Sequence, residues 1–140
     1  MQTNPPILLV EDNPVDVDLT LRAFARCKLA NPVLVARDGE EALAWIPRWE
    51  SGETKPVVIL LDLNMPRVDG LTVLKALKAH PGTKDIPVVI LTTSKEDRDI
   101  SKAYELGVNS YIVKPVDFDN FMEVAQQIEL YWCVYNELPK

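Results

Sequence analysis

The sequence is poor in the residues that build zinc centres and disulfide frameworks. Its 140 residues include 2 cysteines and 1 histidine. Cys27 and Cys133 stand near opposite ends of the chain without the close spacing of paired metal ligands, so we interpret both as reduced thiols. Because a zinc site needs cysteine or histidine ligands, this sequence is a poor match for one.

Basic residues and long apolar runs are also scarce. The 21 acidic and 15 basic residues give a net charge of -6. Binding to nucleic acids or anionic membranes requires clustered lysine and arginine, so both are poor candidate partners. No segment approaches the roughly 20 apolar residues of a membrane span, and residues 1–10 do not resemble a signal peptide. We therefore expect a cytoplasmic location and a protein or cation partner.

The length and composition fit one domain. A chain of 140 residues, 47% of them hydrophobic, can bury one core but is short for two. We expect a single domain over 1–140, with its core at about 7–120 and a last helix with a C-terminal extension over 117–140. The segment 47–56 combines prolines, a glycine and charges, which predicts a solvated loop.

Short apolar runs indicate the strands. They do not alternate with polar residues, which is typical of strands buried on both faces of a sheet. Helical patterns lie between them, after Pro14, after Gly70 and up to Gly107. This alternation predicts an α/β fold, a doubly wound parallel sheet with helices on both faces. The predicted strands are 7–10, 32–36, 57–61, 88–91 and 111–113.

Polar residues follow four of the predicted strands. Glu11 and Asp12 follow the first strand, Asp62 the third, Thr92 the fourth and Lys114 the fifth. The ligand crevice of a doubly wound sheet lies at the carboxyl ends of its strands, so we expect these side chains to converge. Three carboxylates in one cleft repel one another unless a cation neutralises them.

This set of groups favours a divalent cation and phosphoryl chemistry. Mg²⁺ takes oxygen ligands and is commonly held by one or two carboxylates together with phosphate oxygens. An opposing lysine completes a site for an anion. Carboxylates can act as nucleophiles that form aspartyl phosphates, so Asp62 is the natural acceptor.

Each residue alone has a simpler interpretation. A strand-terminal aspartate such as Asp62 is often a turn former or a helix cap, and Tyr111 is a core aromatic at least as often as a moving element. Asn13 is interpreted as the cap of the first helix. Only the convergence of polar groups from four strand ends supports a functional site.

Four motifs resemble those of response-regulator receiver domains in two-component signalling. They are LLVEDNP, LLDLNMPRVDG, VVILTTS and YIVKP, in this order over about residues 7–120. The resemblance implies a flavodoxin-like (βα)5 sheet in strand order 2-1-3-4-5. It also implies a histidine kinase as phosphodonor, Mg²⁺ or Mn²⁺ as cofactor, and a signalling protein that assists its own phosphorylation and dephosphorylation rather than a turnover enzyme.

The same resemblance implies roles for individual residues. Asp62 resembles the phosphoacceptor, while Thr92 and Lys114 resemble the hydroxyl and ammonium groups that contact the phosphoryl group. Tyr111 occupies the position of the switch aromatic that turns inward as Thr92 moves. A cis peptide bond is implied before Pro115. The implied metal ligands are Glu11, Asp12, Asp62 and the backbone carbonyl of Asn64.

Two other functions remain open at this point. A flavodoxin-like FMN-binding module would share the fold, but its first loop would be rich in serine, threonine and glycine, whereas this loop reads EDNP. A Mg²⁺-dependent phosphatase with an aspartyl nucleophile would have an acid two residues after Asp62, where this sequence has Asn64.

The last predicted helix, from 117 to about 135, carries apolar residues on two neighbouring faces. At 1.5 Å per residue it is roughly 28 Å long and overhangs the sheet. We expect a homodimer through this helix, the fourth helix and the fifth strand. The ending YWCVYNELPK also resembles single-domain regulators paired with phytochrome histidine kinases. The face toward the sheet is Phe121, Ala125, Ile128, Trp132 and Tyr135, and the second is Val124, Tyr131, Val134 and Leu138.

Overall fold

Strands and helices alternate along the chain, as the apolar runs predict. A computed structural model describes residues 4–27, 29–115 and 117–135, with side chains through Trp132. The strands are β1 (Ile7–Val10), β2 (Val33–Ala36), β3 (Val58–Leu61), β4 (Val88–Thr92) and β5 (Ser110–Val113). The helices are α1 (Pro14–Arg26), α2 (Gly39–Glu50), α3 (Gly70–Ala79), α4 (Asp97–Glu105) and α5 (Phe118–Ile128), and a π-helix (Glu129–Tyr135) continues α5.

The five strands form one parallel sheet in the order β2-β1-β3-β4-β5. This confirms the predicted fold class and strand order. The chain runs outward from β1 to β2, then crosses back to β3, so the direction of winding reverses between β1 and β3. In such sheets the ligand crevice lies at the carboxyl ends of the strands beside that reversal.

Successive residues of each central strand enter separate cores on the two faces of the sheet. In β1, Leu8 and Val10 pack with α2, α3 and α4, whereas Ile7 and Leu9 pack with α1 and α5. Both cores are apolar, and β1, β3 and β4 are buried along their whole lengths. This explains why their sequences lack polar alternation.

Side-chain caps fix where four of the helices begin. Asn13 accepts hydrogen bonds from the backbone N–H groups of Val15 (2.9 Å) and Asp16 (3.3 Å), which confirms its predicted capping role. The caps of α2, α3 and α5 are Asp38, Asp69 and Asp117, whose carboxylates accept from Glu41, Thr72 and Asn120. Each of these caps lies between the carboxyl end of a strand and the helix that follows it.

The predicted loop over 47–56 is wrong in its first part, because α2 continues to Glu50 with Pro47 inside it. A proline within a helix removes one backbone hydrogen bond and is disfavoured by about 3 kcal/mol. Burial of Ile46 and Trp49 on the sheet side offsets this cost, and Trp49 also stacks on Trp45 with ring centroids 5.7 Å apart.

The last helix begins at Phe118, one residue after the predicted start, and changes to π-helical geometry from Glu129. Phe121, Ala125 and Ile128 are buried against the sheet, and Trp132 packs partly against the same core. Tyr131 is 51% exposed on the other side. Val124 contributes to the core instead of to a separate face. The side chains of Val134, Tyr135 and Leu138 lie outside the described residues.

Within the described ranges, no helix combines the length and apolar character needed to cross a bilayer.

Candidate functional site

The register of the sheet brings the polar strand ends together. Val10 of β1 pairs with Leu61 of β3, so Glu11 and Asp62 leave neighbouring strands at the same level. The backbone N–H of Asp62 donates to the carbonyl of Val10 at 3.1 Å, which extends this pairing by one residue. These contacts place the two acids side by side at the rim.

Three carboxylates meet at this rim. Glu11, Asp12 and Asp62 each present one carboxylate oxygen, and the three oxygens lie within 4.8 Å of one another. Glu11 and Asp62 are buried, whereas Asp12 is half-buried and open to the crevice. Crowded carboxylates at this depth require positive charge nearby.

Lys114 supplies positive charge from the opposite side. Its backbone N–H donates to the carbonyl of Thr92 at 2.7 Å, so β4 and β5 stay paired up to this residue. Its Nζ hydrogen-bonds to Glu11 and to Asp62 Oδ2 at 3.4 Å, and its side chain is only 6% exposed. A fourth acid, Asp16, binds the same Nζ at 2.9 Å.

The charges of the site shift the pKa values of its most buried members. Burial raises the pKa of Glu11 to about 7, with a contribution from repulsion by Asp62 and an opposing one from Lys114. For Lys114, burial alone would lower the pKa, but hydrogen bonds to Glu11 and Asp16 and attraction to Asp62 outweigh it and raise the pKa. Lys114 therefore stays cationic in contact with three carboxyl groups.

Asp62 is held from two sides. Its Oδ1 accepts a hydrogen bond from the backbone N–H of Asn64 at 3.2 Å, while Oδ2 faces Lys114. The backbone around it is fixed by Gly70, at the start of α3, where a Cβ atom would press on the carbonyl oxygen of Asp62 and lie 2.7 Å from Leu63 Cα. Only glycine allows α3 to approach the loop after β3 so closely.

Thr92 and Tyr111 lie on the far side of the crevice. The Thr92 hydroxyl is buried and accepts a hydrogen bond from the side-chain amide of Asn64 at 3.4 Å. Tyr111 is half-buried, and its hydroxyl donates to the carbonyl of Ser94 at 3.0 Å in the loop that leads to α4. The Thr92 hydroxyl also accepts from the N–H of Ser94 at 3.5 Å, so both residues contact the loop before α4.

The predicted cis peptide bond before Pro115 is wrong, because no cis bond occurs among the described residues, which include Lys114 and Pro115. The trans form of an X–Pro bond is favoured by about 0.5–1 kcal/mol. Lys114 reaches its three carboxylate partners with this bond in the trans form, so the site gives no reason for the rarer isomer.

Sequence reasoning missed Asp16. It lies in the first turn of α1, and its side chain turns toward the crevice to meet Lys114. The available signal was its place in the first turn of α1, the helix that follows the carboxyl end of β1. The other predicted site residues all lie at this one edge of the sheet. They are Glu11, Asp12, Asp62, Asn64, Thr92, Tyr111 and Lys114.

Comparison with known proteins decides the family. Residues 7–126 match the model of the response regulator receiver domain. The chain belongs to this family. The matched residues include all five strands and every crevice residue named above.

Similar proteins span nearly the whole chain. Response regulator Rcp1 of Synechocystis is 38% identical and covers 99% of this chain and 97% of its own. Its Mn²⁺-bound structure has a TM-score of 0.87 and 36% identity over 97% of this chain and 99% of that one. The phosphorylated cyanobacterial phytochrome response regulator RcpA has a TM-score of 0.90 and 38% identity, covering 99% of this chain and 100% of that one. A probable methanogenesis regulatory protein, FilR2 of Methanothrix harundinacea, is 41% identical over 95% of this chain and 86% of its own.

The oxygen groups at the rim fit a hard divalent cation. Ligands of Mg²⁺ lie at about 2.1 Å in octahedral geometry, so carboxylates can share it only when they already lie within a few ångströms of one another. Glu11, Asp12 and Asp62 meet this requirement. Glu11 is also engaged on both sides, since one oxygen binds Lys114 and the other accepts the N–H of Asn13 at 3.2 Å. Asp62 is engaged on both oxygens as well, by the N–H of Asn64 on Oδ1 and by Lys114 on Oδ2.

Proposed function

We propose that this chain is a single-domain phosphoacceptor response regulator in which Asp62 receives a phosphoryl group from a histidine kinase. The observation that carries the proposal is the placement of Asp62 among two further acids and one buried ammonium group at the reversal point of the sheet. Glu11, Asp12, Asp62 and the carbonyl of Asn64 would hold Mg²⁺ or Mn²⁺, and this cation would supply charge neutralisation.

The residues of the chain would act mainly by position and charge. An oxygen of Asp62 attacks phosphorus, a P–O bond forms, and the P–N bond of the phosphohistidine breaks with its electron pair leaving on the imidazole. The ammonium of Lys114, 3.4 Å from Asp62 Oδ2, would neutralise the charge that the phosphoryl group brings. The chain would assist this transfer and the later hydrolysis without being a turnover enzyme.

The signal would leave through the polar contacts on the far side of the crevice. A phosphoryl group on Asp62 adds strong acceptor oxygens beside the Thr92 hydroxyl, which accepts hydrogen bonds from the Asn64 side chain at 3.4 Å and the N–H of Ser94 at 3.5 Å. A rotation of Thr92 toward the phosphoryl group would alter the Ser94 loop, and the Tyr111 hydroxyl is bound to that loop. Thr92 and Tyr111 would thus convert a local charge change into a rearranged surface around α4.

Intact-mass analysis tests the acceptor. We expect the wild type to gain one phosphoryl group when incubated with acetyl phosphate and Mg²⁺, and to gain almost none when the metal is chelated. Asp62→Asn should remain unlabelled, whereas Asp85→Asn, a control outside the crevice, should be labelled like the wild type. Equal labelling of Asp62→Asn and wild type would refute the proposal.

The proposed phosphodonor is a phytochrome histidine kinase. The support is the similarity to RcpA, a phytochrome response regulator, over nearly the full length of both chains. Phosphotransfer from purified autophosphorylated kinases tests this. We expect faster transfer from a phytochrome kinase than from a kinase with another sensor, and equal rates would remove the support for this partner.

We further propose a homodimer through the last helix, α4 and β5. Leu130 and Tyr131 are 43% and 51% exposed, and the rings of Tyr131 and Trp132 lie 4.7 Å apart at the edge of a groove of about 330 Å³ beside Ile112 of β5. Tyr104 of α4 is also 51% exposed. Exposed aromatics concentrated near one sheet edge favour a protein interface.

Sedimentation tests the dimer. The wild type should sediment as a dimer at high concentration in at least one of two states, without or with the phosphate analogue beryllofluoride. Tyr131→Asp should shift it to monomer. Val15→Asp, which places the same charge on an exposed apolar residue of α1, should not. A monomeric wild type under both conditions would contradict this proposal.

A further inference from the structure

Lys114 contacts Asp16, an acidic residue to which the proposed phosphoryl transfer assigns no role. Its Nζ contacts Glu11, Asp16 and Asp62, and an ammonium group has three N–H donors. The three carboxylates therefore occupy all of its donors. A phosphoryl group on Asp62 would need one of them, so at least one present contact has to weaken when phosphate binds.

The distances indicate where the ammonium is held. Lys114 Nζ lies 2.9 Å from Asp16 Oδ2 but 3.4 Å from Asp62 Oδ2, so it sits closer to the wall formed by α1 than to the acceptor. Charge-assisted N–H···O hydrogen bonds are strongest near 2.7–2.9 Å. The contact with Asp16 is thus well formed, whereas the contact with Asp62 is stretched.

Asp16 is the partner most easily released. Its side chain is 28% exposed, compared with 3% for Glu11, so water can replace Lys114 as its partner at little cost. Among the described residues, Lys114 is the only side chain that hydrogen-bonds to the Asp16 carboxylate.

We propose that Asp16 is a positioning residue that competes with the phosphoryl group for the ammonium of Lys114 and thereby slows phosphorylation of Asp62. This rests on the proposed function. Asp16 touches neither the reacting atoms nor the group being transferred. It acts through Lys114, by holding the ammonium toward α1.

The first test is the rate of phosphorylation by acetyl phosphate at saturating Mg²⁺, followed by intact mass. Asp16→Asn should react roughly three- to tenfold faster than the wild type, the scale of one partly exposed charge-assisted hydrogen bond. Asp16→Glu, which keeps the charge and can still reach Lys114, should return toward the wild-type rate. An unchanged or slower Asp16→Asn would overturn the proposal.

A matched control separates position from charge alone. Asp18→Asn removes the same charge from the same helix, but Asp18 is exposed and pairs with Arg22 at 3.0 Å. Its rate should stay within about twofold of the wild type. Combining Asp16→Asn with Lys114→Met should remove the acceleration, because the effect requires the ammonium. Acceleration by Asp18→Asn, or acceleration that persists without Lys114, would also overturn the proposal.

A second measurement does not depend on phosphotransfer. The ¹⁵N NMR signal of the Lys114 ammonium should shift in Asp16→Asn and stay unchanged in Asp18→Asn. If the wild type takes no phosphoryl label, the proposed function fails. An unshifted Lys114 signal in Asp16→Asn would show independently that Asp16 does not position Lys114.

Discussion

Helices α3 and α4 are neighbours of almost equal length, 10 and 9 residues, but they are anchored very differently. Four residues of α3 are buried, namely Gly70, Val73, Leu74 and Leu77. In α4 only Ala103 is buried. The two strands that flank α4 also differ in burial. Strand β4, before it, is buried throughout, whereas every residue of β5, after it, is half-buried.

This contrast coincides with the two sides of the crevice. Helix α3 follows Asp62 and presses Gly70 against its backbone, so the side of the crevice with the proposed acceptor is held by close packing. Helix α4 follows Thr92 and is connected to the crevice mainly by hydrogen bonds through Ser94. Regions with few buried apolar contacts open and rearrange at lower free energy. We infer that the acceptor side is the fixed half of the site and the α4 side is the half that responds.

The largest expected effect is on packing. Leu74→Ala empties a fully buried position in α3 and should lower the free energy of unfolding by about 2–5 kcal/mol. Tyr104→Ala on α4, where the side chain is half exposed, should change it by less than about 0.5–1 kcal/mol. Urea denaturation measures both variants. Similar losses would mean that α4 is as firmly anchored as α3.

The next effect concerns the approach of α3 to the acceptor. Gly70→Ala places a methyl group against the backbone of Asp62 and Leu63, which cannot move aside locally. We expect it to lower the free energy of unfolding by about 1–3 kcal/mol and to slow phosphorylation. Gly82→Ala is the control, because its new Cβ would meet only the flexible side chain of Glu50 at 3.3 Å. Equal free energies of unfolding for Gly70→Ala and Gly82→Ala would contradict the close packing of α3 on the backbone of Asp62.

Amide hydrogen exchange compares the two helices directly. The amides of α4 should be protected roughly tenfold less than those of α3, because fewer buried contacts oppose local opening. Phosphorylation or beryllofluoride should change protection in α4 and around Ser94 more than in α3. A larger change in α3 would reverse the assignment of the fixed and responding sides.

The smallest effect is expected from one hydroxyl group. Tyr111→Phe removes the hydrogen bond to the Ser94 carbonyl and should lower stability by about 0.5–1.5 kcal/mol, while making exchange in α4 faster. Tyr104→Phe removes a hydroxyl from the exposed side of α4 and should leave both unchanged. If Tyr111→Phe does not alter α4 exchange, the hydroxyl does not hold the loop that leads to α4.

Much of this arrangement could be predicted from the sequence. Unbroken apolar runs predicted the strands because β1, β3 and β4 are buried on both faces, and the carboxyl ends of parallel strands necessarily share one edge. The strand order and the residue roles came from the resemblance of four motifs to receiver domains, not from periodicity.

The failures have local physical causes. Burial of Trp49 keeps α2 helical past Pro47, although proline disfavours the interior of a helix. The peptide bond between Lys114 and Pro115 is trans, whereas the resemblance implied cis. The change from α- to π-helix at Glu129 has no signal in the apolar pattern. Asp16 was missed because pairing polar residues with strand ends ignores side chains that reach the crevice from the first turn of a helix.

Locating the phosphoryl group tests the central claim most directly. After reaction with acetyl phosphate and Mg²⁺, borohydride reduction and peptide mass spectrometry identify the modified carboxylate. The account predicts a single modified residue, Asp62, in the peptide that follows β3. Modification of Glu11 or Asp12, or a label spread over exposed acids elsewhere in the chain, would contradict it.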